Sequence, residues 1–168
     1  MSTIWLKDWV KDHNDAALRS IERDLILLSK QSPLKRSRIC FHDDPQNDSQ
    51  FMLIQLCRGT FIPIHKHTEN HEVYFPTCGI ANLLLFDEQM ILTDRRRLTV
   101  ENDGCRGLFE VVPRDTWHTI ICVSETFRYL EYRRGRMGEG EVKLKSSTPS
   151  VEELSYIDSL CIGGRYGE

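Results

Sequence analysis

The sequence predicts an all-β fold, a sandwich or barrel of short strands preceded by one helix and followed by a shorter one. Two observations carry this. From Phe51 onward come nine short apolar or alternating runs, FMLIQLC, TFIPIHKH, EVYF, ANLLLF, MILT, RLTV, GLFEVV, HTIICV and FRYLEY. Their breaks hold turn formers, Asp87-Glu88, Thr93-Asp94, Asn102-Asp103-Gly104 and Pro113-Arg114-Asp115, and many short strands at close, even spacing make a sandwich or barrel.

Taken in order, residues 14–30 have helical periodicity. Asn14 is a suitable N-cap, and Ala17, Leu18, Ile21, Leu25 and Leu28 form one apolar stripe opposite Arg19, Glu22, Arg23 and Lys30. Gln31-Ser32-Pro33 ends the helix, and the period then falls to two. In RSRICFH, Arg36, Arg38, Cys40 and His42 share one face while Ser37, Ile39 and Phe41 share the other, so one polar row can line a cavity while the other packs. Arg38 and His42 are pocket candidates on that ground; a solvated edge strand explains the same pattern. Asp43 to Gln50 is a polar loop. LLLF and TIICV are apolar on both faces, so their outer faces need cover, from the N-terminal helix or a second subunit; a homodimer is expected. After Arg136 the alternation is lost. Met137 to Thr148 is rich in Gly, Glu and Lys, Ser150 with Glu153 offers a capping box for a helix over 151–160, and the Gly163-Gly164-Arg165 tail is expected to be mobile. The organisation is one domain, with a helical segment over 1–35, a barrel over 36–136 and an extension over 137–168.

Composition sets outer bounds. With 168 residues, 40% hydrophobic, 28% charged and a formal net charge of −3, the chain reads as one ordinary globular domain. The basic runs at Lys35-Arg36, Arg95-Arg96-Arg97 and Arg133-Arg134 are short, which argues against a nucleic-acid partner. The N-terminus has acidic residues among its first apolar ones and lacks an uninterrupted hydrophobic core, so neither a signal peptide nor a membrane span is expected, and the location is expected to be cytoplasmic. Six cysteines stand without a C-x-x-C pair, which suits free, mostly buried thiols.

The chemistry is concentrated in Gly59 to Gly79, GTFIPIHKHTENHEVYFPTCG. His65 and His67 are two residues apart and leave the same face of a strand. Glu72 follows a polar segment that can turn the chain and bring a carboxylate back to the pair. An H-x-H alone is commonplace, but the combination G-x5-H-x-H-x4-E-x6-G is not, and two imidazoles with a carboxylate suit a divalent first-row metal. Tyr74 shares the face of Glu72 and either lines the pocket or packs in the core; His71 points the opposite way, to the surface. A second stretch, GLFEVVPRDTWH, matches G-x5-P-x-G-x2-H except that Asp115 replaces the second glycine, and Asp is among the few residues that tolerate a positive φ. It ends at His118, while Trp117 beside it faces away.

These two motifs resemble those of the cupin superfamily over about residues 50–132. The resemblance implies a cupin-type double-stranded β-helix, or jelly-roll barrel, with His65, His67, Glu72 and His118 as ligands of one metal. A narrower likeness runs from Ser32-Pro33 through Arg36-x-Arg38 and His42 to Glu131 and Gly135. It is similar to the WbuC-type cupin-fold metalloproteins, associated with bacterial O-antigen gene clusters, although their Gly-Pro-aromatic ending is Gly135-Arg136-Met137 here. Three imidazoles and a carboxylate in a barrel leave room for water or substrate on Fe, Mn, Ni, Co or Zn. The expected function is a metal-dependent enzyme acting on a small polar molecule such as a sugar or nucleotide-sugar, of isomerase or epimerase type; the alternatives are a metal-dependent dioxygenase and a non-catalytic small-molecule-binding barrel. No residue beyond the ligands is assigned a catalytic role, and the pocket candidates are Arg38, His42 and Tyr74.

Overall fold

A computed structural model describes residues 1–8, 20–100 and 108–143. The elements are β1 (Ser2–Trp5), α1 (Ile21–Gln31), β2 (Arg36–Cys40), β3 (Ser49–Cys57), β4 (His65–His67), β5 (Glu72–Cys78), β6 (Ile80–Phe86), β7 (Leu92–Thr99), β8 (Glu110–Val112), β9 (Trp117–Cys122), β10 (Thr126–Arg134) and β11 (Glu141–Lys143). They form two sheets, β1-β2-β3-β10-β5-β8 and β11-β4-β9-β6-β7. The alternation read from the sequence becomes the barrel interior: Met52, Ile54, Leu56, Tyr74, Phe127 and Tyr129 of the first sheet pack against Ala81, Leu83, Leu85, Leu98 and Ile120 of the second. Facing sheets bury one side chain in two along each strand, the requirement of a jelly-roll barrel.

The helix ends at Gln31 as its sequence demands, with Ser32 extended and its N–H bonded to the Leu28 carbonyl. Residues 9–19 lie outside the described residues, and with them the Asn14 cap. Leu25 is fully buried against Ile39 and Leu53, and the Ser37 hydroxyl donates to the Leu25 carbonyl at 2.7 Å. The helix therefore covers the outer face of β2 and β3. The outer faces of LLLF and TIICV lie on the other sheet, where Leu84, Phe86, Trp117 and Ile121 are buried under Ile64, Met90 and Leu92. Part of the expected cover comes from within the chain, from Ile64 of the loop before β4, Met90 of the β6–β7 connection and Leu92 at the start of β7, while α1 packs on the other sheet.

Other details also differ from the sequence reading. MILT and RLTV are not two strands but one, β7, because Asp94 to Arg97 stay in register with β6. Of TFIPIHKH only the HKH end is strand. Ser2–Trp5, within the segment expected to be helical, pairs in parallel with β2, and Glu141–Lys143, in the extension, pairs with β4. Short edge strands carry little periodicity, so pairing decides them. The expected C-terminal helix over 151–160 and the tail lie outside the described residues. Among the described residues no helix is long and apolar enough to cross a membrane.

Candidate metal centre

Strand register builds the site. His65 on β4 lies directly opposite His118 on β9, and His67 is one pleat further along. The chain then turns through Thr68–His71 and crosses to the first sheet, where Glu72 opens β5. The turn before β9 is pinned to the same place: Asp115, at φ 64°, takes the left-handed conformation expected of it, and its N–H donates to the His67 carbonyl at 2.7 Å. The four side chains thus meet between the sheets, with one ligand atom of each within 4.8 Å of all the others.

Glu72 is the hub of this group. Its Oε1 lies 3.0 Å from His67 Nε2 and its Oε2 2.8 Å from His118 Nε2. Tyr74, buried beside it, donates its hydroxyl to Oε2 at 2.6 Å. Arg133, paired with Glu72 across β10 and β5, brings Nε to 3.9 Å from Oε1. Burial alone would raise the Glu72 carboxyl, but hydrogen bonds from His118 and His67 outweigh it and hold the group well below the usual carboxylate range. Burial, with His118 beside it, lowers His65 to about 3, so this imidazole is neutral, the form a metal ligand needs.

The donor set fits a divalent metal. His65 Nδ1 and His118 Nδ1 lie 2.9 Å from the Pro63 and Thr116 carbonyls, to which each donates; this leaves His65 Nε2 bare and aimed inward, whereas His118 Nε2 donates to Glu72 Oε2, and an ion on it would take the place of that proton. Bonds of about 2.1 Å at right angles place neighbouring ligand atoms about 3.0 Å apart, close to the separations around Glu72. His67 is held differently. Arg133 Nη1 lies 3.3 Å from its Nδ1, so that nitrogen accepts and Nε2 donates to Glu72. Placing an ion on Nε2 requires the other tautomer, with Arg133 left to the Glu139 and Arg136 carbonyls it also reaches at 3.4 Å.

Above the cluster is a cavity of about 560 Å³. Of the sequence candidates, Arg38 and Tyr74 line it together with His65, His67 and Glu72. His42 is not among the lining residues, because β2 ends at Cys40. Its ring stands edge-on to Trp5 at 5.4 Å and its Nδ1 is bonded to the Phe51 backbone at 3.1 Å. His71 is on the surface, where its Nδ1 accepts the Arg114 N–H at 3.0 Å. Trp117 faces outward and donates Nε1–H to Glu88 at 3.0 Å.

Arg36, Glu131 and Arg133 also line the cavity and were not among the pocket candidates. Glu131 projects from β10 opposite Tyr74 of β5, and Tyr129 donates to its Oε2 at 3.4 Å. Burial, then the Glu72 charge, raise it to about 8 against the pull of Arg133 and Arg38, so near neutral pH it is a protonated acid beside the metal cluster. The signal was available: alternation in FRYLEYR puts Tyr129, Glu131 and Arg133 on one inward face.

Comparisons with known proteins agree with this architecture. A family model described as a domain of unknown function, DUF6016, matches residues 20–98. No curated protein matches. Among solved structures, a Shewanella oneidensis protein aligns with 12% identity and TM-score 0.56 over 73% of this chain and 83% of its own. An uncharacterized Klebsiella pneumoniae protein with a double-stranded β-helix domain aligns with 16% identity and TM-score 0.50 over 68% and 89%. An oxalate decarboxylase from Lactobacillus farciminis, solved with formate, aligns with 16% identity and TM-score 0.46 over 58% and 27%, so the chain spans about a quarter of that protein's length. At such identities the likeness is one of fold: the chain is a double-stranded β-helix barrel of the cupin type, with a three-histidine, one-glutamate cluster able to hold a metal.

Proposed function

We propose that the protein is a metal-dependent enzyme acting on a small polar substrate, a sugar or nucleotide-sugar, by an isomerase- or epimerase-type reaction. The observation that carries this reading is the position of the four-residue cluster, three of whose members, His65, His67 and Glu72, line a cavity of about 560 Å³, within the size range of small-molecule sites. His65, His67, Glu72 and His118 would hold the ion. A bound divalent metal polarises a substrate carbonyl or lowers the pKa of bound water. Tyr74 and Arg133 fix the Glu72 carboxylate from two sides. Glu131, protonated near neutral pH, can deliver a proton to a substrate oxygen or carbon and take one back, the exchange an isomerisation needs. The likeness to WbuC-type proteins supports a setting in bacterial surface-polysaccharide synthesis.

The test is turnover of a panel of aldoses, ketoses and nucleotide-sugars by the metal-loaded protein, followed by proton NMR in D2O. Solvent deuterium in recovered substrate or product, absent from the His65→Ala and His118→Ala variants, is the expected result. An exchange rate identical in variants that hold no metal would overturn the reading.

A further inference from the structure

One wall of the cavity is formed by β2, and from it Arg36 and Arg38 line the space above the metal cluster. A guanidinium carries five N–H donors in a planar fork suited to carboxylate and phosphate oxygens. Among the described residues neither arginine is hydrogen-bonded to such an acceptor. Arg38 Nε donates to the Thr3 hydroxyl at 3.1 Å, and its two terminal nitrogens meet the thioether sulfurs of Met52 at 3.6 Å and Met137 at 3.2 Å. Thioethers are weak acceptors. Arg36 Nε is buried with no hydrogen-bond partner among the described residues, and burial lowers its pKa. Leaving a buried donor of a charged group unsatisfied is costly; Arg36 Nε stands in that condition, and beside it on the same cavity wall Arg38 has a hydroxyl and two thioethers as its partners.

The acids nearby do not relieve it. Glu131 takes its hydrogen bond from Tyr129, and the Glu141 carboxylate pairs with Lys143 at 3.4 Å. Glu72 is committed to His67, His118 and Tyr74. Glu131, raised to about 8, adds no negative charge of its own near neutral pH, and Glu141, which also lines the cavity, is paired with Lys143. The arrangement is a metal-ligand cluster on one side of the space and a pair of under-satisfied guanidiniums on another.

From this juxtaposition we infer that the substrate carries an oxyanion, a carboxylate or a phosphate, which docks on Arg36 and Arg38 while the rest of the molecule faces the histidine–glutamate cluster. The inference rests on reading this cavity as the substrate site, and it narrows that substrate to a sugar acid, a sugar phosphate or a comparably small anion. Charge-assisted bonds from Arg replace the Met contacts when the anion enters, which also sets selectivity against neutral sugars.

Calorimetric titration of the full chain tests this, with Ni(II)-loaded and EDTA-treated protein, using glycolate, inorganic phosphate and the neutral diol ethylene glycol at constant ionic strength. At least one anion is expected to bind at least about tenfold more tightly than ethylene glycol, and Arg38→Met and Arg36→Gln each to weaken it by about tenfold or more with metal content unchanged. Preference for glycolate or for phosphate identifies the anion. Arg38→Lys, which keeps the charge and loses the fork, replaces Arg38→Met if circular dichroism shows that variant unfolded, and is expected to bind the anion less tightly than wild type. Anions binding no better than ethylene glycol, or unchanged affinity in the folded arginine variants, would overturn the inference. Arginine-dependent anion binding in a protein that takes up no metal would support it while removing the metal-dependent reading; metal uptake without anion preference would do the reverse.

Discussion

His65 and His118 face each other across the β4–β9 pair, with their ring centroids 4.3 Å apart. Fifty-three positions of chain separate them, yet their Nδ1 atoms are fixed in the same way, each by the carbonyl two residues before it. Two pre-oriented imidazoles on neighbouring strands are the base on which the rest of the site is set.

Replacing either of these histidines removes a ligand without disturbing a large apolar contact. His65→Ala and His118→Ala are each expected to lower metal affinity by more than about 100-fold, beyond the effect of losing an outer-shell partner, with the barrel still folded by circular dichroism. Elemental analysis after gel filtration gives the result, and stoichiometric metal in both variants would sink the assignment.

Tyr74→Phe keeps the ring between Tyr129 and the core but deletes the 2.6 Å bond to Glu72. Metal affinity should fall by about 10-fold and unfolding free energy by about 1–2 kcal/mol. Competition with a fluorescent chelator and urea denaturation measure the two; no change in either would show that Glu72 is oriented without the tyrosine.

Glu131 gives the chain a pH signature. Because its carboxyl is raised to about 8 from the ordinary value of about 4.3, the folded protein holds a proton that the unfolded chain has lost between those values. Its contribution is therefore present below the ordinary carboxylate range and is lost as pH rises toward 8. In EDTA-treated protein, wild type should lose stability relative to Glu131→Gln across pH 5 to 8 in parallel urea titrations. Parallel pH profiles for the two proteins would show that Glu131 ionises normally.

Gly79 is the point where β5 turns into β6, at φ 77°, and a Cβ there would stand 2.1 Å from the Thr126 carbonyl. Gly79→Ala should destabilise the barrel by about 2 kcal/mol or more, combining left-handed strain with a backbone clash. A urea midpoint within error of wild type would mean that the hairpin relaxes at little cost.

The sequence was informative where one residue's chemistry repeated with one structural period. The H-x-H pair, the delayed glutamate and the Pro-x-Asp turn before His118 each constrain local geometry, and the structure brings their four side chains together. The same periodicity placed Arg36 and Arg38 on the cavity face. It failed four residues later at His42, because an alternation pattern does not say where a strand stops; the β2 ladder ends at Cys40, and Trp5 and the Phe51 backbone hold the imidazole elsewhere. The three- and four-residue edge strands β1 and β11 were equally silent, since they exist by pairing and not by propensity.

By itself, then, the sequence determined the class of fold and the four metal-ligand candidates, because strand period and ligand spacing are local properties. Tertiary structure alone decided what surrounds them. That Glu131 stays protonated near neutral pH, that Arg36 and Arg38 meet no strong acceptor among the described residues, and that the outer face of β6 and β9 is packed against residues of the same chain depend on burial and on neighbours distant in sequence. Desolvation and long-range pairing set those properties, and no short stretch of residues encodes either.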